Sequence, residues 1–146
     1  MSVSITIAGV AYTVPSSAAD TNWAAQQVAF EQALASYLLT PPTWLAPSLV
    51  NSWANYGSGN QNAGYYKDTA GTVHLRGLIK SGASLSTAFT LPSGYRPLAT
   101  ETLIGATATG IAGIVIASTG VVTVVDLINS TCTTSTSLAN LSFSTV

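Results

Sequence analysis

Residues 114–125 read Ile114-Val115-Ile116-Ala117-Ser118-Thr119-Gly120-Val121-Val122-Thr123-Val124-Val125, and the fold turns on how they are read. They close an uncharged stretch from Thr102 to Val125, long enough to cross a bilayer as a helix. Its interior argues otherwise. Thr102, Thr107, Thr109, Ser118, Thr119 and Thr123 interrupt it, glycines recur, and Glu101 and Asp126 flank it where basic anchors would stand. Ser118-Thr119-Gly120 divides two β-branched runs, so the stretch predicts a buried β-hairpin and no membrane insertion.

The same period of two extends upstream and downstream. Tyr65-Tyr66 leads into a turn at Lys67-Asp68-Thr69-Ala70-Gly71. Beyond it Val73, Leu75 and Gly77 face one way, and His74, Arg76 and Leu78 the other. Thr87, Phe89 and Leu91 alternate before the loop Pro92-Ser93-Gly94-Tyr95-Arg96-Pro97. Leu103-Ile104 makes a further strand, and Leu138, Leu141 and Phe143 close the chain. Seven or eight short strands without intervening helices predict a mainly β fold, an antiparallel β-sandwich of jelly-roll type. A different region precedes it. Val3, Ile5 and Ile7, then Val10, Tyr12 and Val14, alternate about a turn at Ala8-Gly9, with Pro15 ending the hairpin. From Thr21 to Leu39 the composition favours helix, with Asp20 as N-cap and Pro41-Pro42 as stop. We therefore expect two regions, residues 1–49 holding the hairpin and one α-helix, and residues 50–146 forming the sandwich.

In that helix Trp23, Gln27, Phe30, Leu34 and Tyr37 recur at spacings of 4, 3, 4 and 3. This is either a short self-associating seam, whose polar Gln27 fixes register, or the inner face of a helix lying on its own domain. So short a seam cannot hold an oligomer alone.

Composition removes several functions. Only 6% of the 146 residues are charged, against roughly 25% in an ordinary soluble domain, and the net charge is -1. Ser and Thr, about a quarter of the chain, supply the polar surface instead. No basic field exists for nucleic acid. Met1-Ser2-Val3-Ser4 lacks the positive start of a secretory signal. The single Cys132 allows no intrachain disulfide, and with one histidine the chain offers no cofactor or metal site from His and Cys. Cys132, without charged neighbours in sequence, reads as a small buried or loop residue.

Catalytic constellations are missing too. His74 has no acidic residue within three positions and shares a strand face with Arg76, which disfavours its protonated form. Asp20, Glu31, Asp68, Glu101 and Asp126 are scattered, and no phosphate-cradling glycine loop is present. We expect no enzyme. Residues 53–66, Trp53-Ala54-Asn55-Tyr56-Gly57-Ser58-Gly59-Asn60-Gln61-Asn62-Ala63-Gly64-Tyr65-Tyr66, do mix flat rings with amides, the material of a glycan site. The plainer alternative, which we favour, puts Trp53 and one tyrosine in the core and leaves the amide run solvated.

Several pieces in order resemble the small β-sandwich knob at the tip of bacteriophage tail fibres, receptor-binding proteins and head fibres. They are Asn51-Ser52-Trp53-Ala54-Asn55-Tyr56; Tyr66-Lys67-Asp68 with Gly71-Thr72-Val73-His74-Leu75-Arg76-Gly77-Leu78-Ile79; Phe89-Thr90-Leu91-Pro92-Ser93-Gly94-Tyr95-Arg96-Pro97; the hairpin from Ile114 to Val125; and Leu138-Ala139-Asn140-Leu141-Ser142-Phe143. The resemblance implies a homotrimeric, non-catalytic virion structural protein at the virion surface, partnered by baseplate, tail or capsid proteins and by a host-surface glycan. It defines no receptor residues. Exposed rings are the candidates, namely Trp53, Tyr56, Tyr65, Tyr66 and Tyr95. The seam from Trp23 to Tyr37 is the candidate trimer contact, and Val3, Ile5, Ile7, Val10, Tyr12 and Val14 the candidate virion anchor. A tail-associated receptor-binding module is the leading reading; a capsid decoration or head-fibre protein is the alternative.

Overall fold

The computed structural model describes residues 3–7, 10–14, 23–128 and 131–146. The chain divides into two compact units, Met1–Pro41 and Pro42–Val146.

In the first unit β1 (Val3–Ile7) pairs antiparallel with β2 (Val10–Val14), with Val3 opposite Val14 and Ile7 opposite Val10. The helix α1 spans Trp23–Leu39 and runs beside β2. Thr40 N–H still bonds to the Ser36 carbonyl at 3.0 Å, after which Pro41 and Pro42 offer no further donors. The expected turn at Ala8-Gly9, the break at Pro15 and the Asp20 cap lie outside the described residues. Along α1, Phe30 is half-buried, whereas Gln27, Leu34 and Tyr37 are exposed within the single chain.

Among the described residues the second unit has ten antiparallel strands, more than the seven or eight read from periodicity. They are β3 (Ala54–Asn55), β4 (Gly64–Lys67), β5 (Thr72–Arg76), β6 (Leu78–Lys80), β7 (Ser86–Thr90), β8 (Glu101–Ala106), β9 (Ile111–Ile116), β10 (Val121–Asp126), β11 (Thr136–Ser137) and β12 (Leu141–Ser144). The strands β3 and β11, of two residues each, are too short to show alternation. The uncharged stretch becomes β8, β9 and β10, with Val122 opposite Ile116 and Val124 opposite Ile114, which is the expected hairpin. No described helix is long and apolar enough to cross a membrane.

Three sheets result, in the orders β7-β10-β9-β8, β11-β6-β3 and β12-β5-β4. Their inner faces share one core. Phe89, Ile114, Ile116, Val122 and Val124 come from the four-stranded sheet, Ile79 from the second and Val73, Leu75 and Phe143 from the third, with Trp53, Leu91 and Leu138 filling between them. One correction concerns the run from Val73 to Leu78. It is not a single strand: Gly77, at φ +100, breaks it, so that β5 and β6 join different sheets and Leu78 leaves the face of His74 and Arg76.

Candidate functional site

The hairpin of β4 and β5 carries the chemistry. Its register sets Tyr65 opposite Leu75, Tyr66 opposite His74 and Gly64 opposite Arg76. Alternation sends Tyr65, Leu75 and Val73 into the core and turns Tyr66, His74 and Arg76 outward. Cross-strand partners touch, and the Tyr66 and His74 rings stack at 4.7 Å and 11°. Leu45 exchanges two backbone hydrogen bonds with Tyr65, at 2.8 and 2.9 Å, which lays residues 44–45 along the open edge of β4. Trp44 is thereby placed edge-on to Tyr66 at 4.5 Å. The Arg76 guanidinium lies over the Trp44 ring at 4.3 Å, while its stem crosses Gly64, which has no side chain to obstruct it. The outcome is a row of four planar groups, His74, Tyr66, Trp44 and Arg76. An open cavity of about 340 Å³ sits against them, with the amides of Gln61 and Asn140 also on its wall.

Asp68 organises the end of the row. One carboxylate oxygen accepts the backbone N–H groups of Ala70 and Thr72, at 3.0 and 2.8 Å, and the other lies 2.9 Å from His74 Nε2. The bond with His74 first, and the Thr72 N–H next, hold the carboxyl below its ordinary range. This corrects the sequence reading of His74 as lacking an acidic neighbour. The partner stands six residues away, and a search within three positions misses a contact closed across a hairpin turn. Among the described residues no serine, threonine or cysteine bonds to His74. Nor does any group of three or more His, Cys, Asp or Glu side chains suited to a metal ion occur among them.

The other candidate rings fall in different places. Trp53 is 4% exposed, its indole N–H donating to Ser86 Oγ at 2.8 Å, and Tyr65 is 7% exposed. Both offer core volume rather than a ring face to solvent, as the plainer reading of residues 53–66 has it. Burial, with Tyr95 nearby, pushes the Tyr65 phenol up. Tyr95 is half-buried, edge-on to Tyr65 at 5.1 Å, with Lys67 Nζ 5.7 Å from its centroid. Tyr56 is half-buried with Lys80 Nζ 5.0 Å from its centroid. Of the five, only Tyr66 belongs to the planar row. Trp44, Asp68, His74 and Arg76 were missed as site residues. A signal for three of them existed, because a turn at residues 68–71 sets Tyr66 against His74 and leaves Arg76 on the same face. Nothing local announced Trp44.

No protein-family model matches the chain, and no curated protein matches it in sequence. A solved structure does. The crystal structure of the receptor binding protein (gp15) of Listeria phage PSA superposes with a TM-score of 0.67 over 82% of this chain and 74% of that one, at 18% identity. A TM-score of that size over most of both chains is agreement of architecture. The chain shares its mainly β fold with a phage receptor binding protein.

Proposed function

We propose that the chain is a non-enzymatic bacteriophage virion protein whose sandwich serves as a tail-associated receptor-binding knob for a host-surface glycan. The observation that carries this reading is the fold shared with a phage receptor binding protein. The ring-lined cavity supports it, since Trp and Tyr faces stack on the apolar faces of sugars while amides bond their hydroxyls. In this reading the knob takes in residues 42–146, the boundary expected between residues 49 and 50 moving to Pro41–Pro42 because Leu45 pairs with β4. Residues 1–41 serve attachment and trimerisation, with Val3, Ile5, Ile7, Val10, Tyr12 and Val14 as the anchor and Trp23, Gln27, Phe30, Leu34 and Tyr37 as the trimer seam. Tyr66 is the central receptor ring, with Tyr56 and Tyr95 as outlying ones. Imaging intact virions with the chain labelled tests its position, and competition of purified protein with phage for host cells tests its role. Label at the tail tip and blocked adsorption are expected. Label distributed over the capsid faces, with no effect on adsorption, would replace the knob reading by a capsid decoration or head fibre.

A further inference from the structure

The cavity beside β4 and β5 has an unequal allotment of charge. The chain has four Lys and Arg residues. Lys67 donates to the Gly94 carbonyl and Arg96 to the Leu91 carbonyl. Lys80 sits over Tyr56 on another sheet. Arg76 is the cation on the cavity wall, and among the described residues its guanidinium meets neither a hydrogen-bond acceptor nor a carboxylate. Its Nε–H is sealed from water without a partner, and its flat face is taken up by Trp44. The terminal nitrogens are left to bond. A partly desolvated guanidinium without an acceptor is costly, and an oxyanion that fits its fork recovers that cost. Asp68, at the His74 end of the row, is occupied by Ala70, Thr72 and His74.

We propose that this cavity binds a saccharide bearing one anionic substituent, a carboxylate or a phosphate ester, with the oxyanion on the Arg76 guanidinium and the sugar ring against Trp44 and Tyr66. The inference rests on the receptor-binding reading and adds the chemical class of the ligand. Gln61 and Asn140 supply donors and acceptors for the hydroxyls. A volume of about 340 Å³ lies at the small end of ligand sites, about 300–1,000 Å³. One cation and no surrounding basic field fit a single charged group and not a polyanion.

The test is an NMR titration of the full chain, following the Trp44 indole N–H with methyl glucuronide, glucose 6-phosphate, methyl glucoside and inorganic phosphate. We expect one or both anionic sugars to saturate the signal at least tenfold more tightly than the glucoside or free phosphate, and the tighter of the two names the oxyanion. Arg76→Gln should erase that preference, whereas Arg76→Lys should retain part of it. The wild-type comparison needs no variant, so it stands if Arg76→Gln fails to fold. If neither anionic sugar binds more tightly than the glucoside, the anion assignment is overturned, and if free phosphate binds as tightly as the tighter anionic sugar, the saccharide is overturned. A Trp44 signal silent to all four probes, with purified protein still blocking adsorption, overturns the site but spares the receptor reading. Silence with no blocking removes both.

Discussion

Trp53 shows what a single side chain contributes to this fold. It precedes β3, outside any alternating run, yet it is buried against Gly82, where the ring occupies the space a β-carbon would need. Ser86 Oγ accepts its N–H and donates its own O–H to the Ala83 carbonyl at 2.6 Å, so nothing polar on the indole is stranded. Trp53→Ala should cost about 3–5 kcal/mol, the usual range for removing a buried Trp, measured as a fall in urea midpoint at unchanged slope. Cys132 is a second case. It is fully buried, and its N–H donates to Asp126 Oδ1 at 2.7 Å. Burial first, and the Asp126 carboxylate second, push its thiol from 9.0 up to about 11. A thiol whose folded value is raised holds its proton longer in the native state. Its contribution is therefore complete below about pH 9 and is lost as pH rises through about 11. We expect iodoacetamide at pH 8 to label Cys132 only in denaturant, and a Cys132→Ser variant to lose less stability than wild type between pH 9 and 11.

Between β5 and β6 a single residue sends one run of sequence into two sheets. At Gly77 a β-carbon would collide with the backbone of Asn62 and Ala63, in addition to the strain of φ +100. Gly77→Ala should therefore destabilise by more than the ~1 kcal/mol of an ordinary misplaced alanine. Hydrogen exchange should accelerate first at Leu78, whose N–H bonds to the Gln61 carbonyl at 3.0 Å. Uniform exchange across the unit would count against a local effect. The same position marks how far the elements were legible in the sequence. Period two in β5, β9 and β10 is direct, because each has one face in a common core and β-branched residues suit it. The expected alternation of Thr87 with Phe89 fails, because a register shift against β10 between Val122 and Thr123 puts the two on opposite faces of β7. Gly77 sat inside an apparently continuous alternation, and a glycine there signals a break only once the neighbouring backbone is seen. The site was half legible for a related reason. Tyr66, His74 and Arg76 follow from one hairpin and its turn, while Trp44 reaches them through the Leu45–Tyr65 pairing, whose partners lie twenty positions apart.

At the scale of the assembly, the surface of the four-stranded sheet is the telling feature. Thr87, Thr102, Ile104, Val115, Thr123 and Val125 lie opposite the core-facing rows of β7 to β10, and none is charged. Ile104 is 52% exposed there, and on α1 Leu34 and Tyr37 are exposed as well. A chain with nine charged residues has few means of keeping such surfaces apart, and association that buries them removes apolar area from water. Under the trimer proposal, sedimentation should give three times 14.9 kDa at micromolar concentration. A charge set into each surface should separate their contributions. Thr123→Lys acts through the sheet and Leu34→Lys through the helix, and either should shift the population toward monomer if both surfaces are needed. Because the expected contacts are apolar, the trimer should be as stable in 1 M salt as in 50 mM, where screening would weaken an assembly held by exposed ion pairs. A wild-type chain that sediments as a monomer would remove the trimer. Loss of mass with salt would instead keep an assembly but move its driving force onto the few charges, Lys67, Arg76, Lys80 and Arg96 among them.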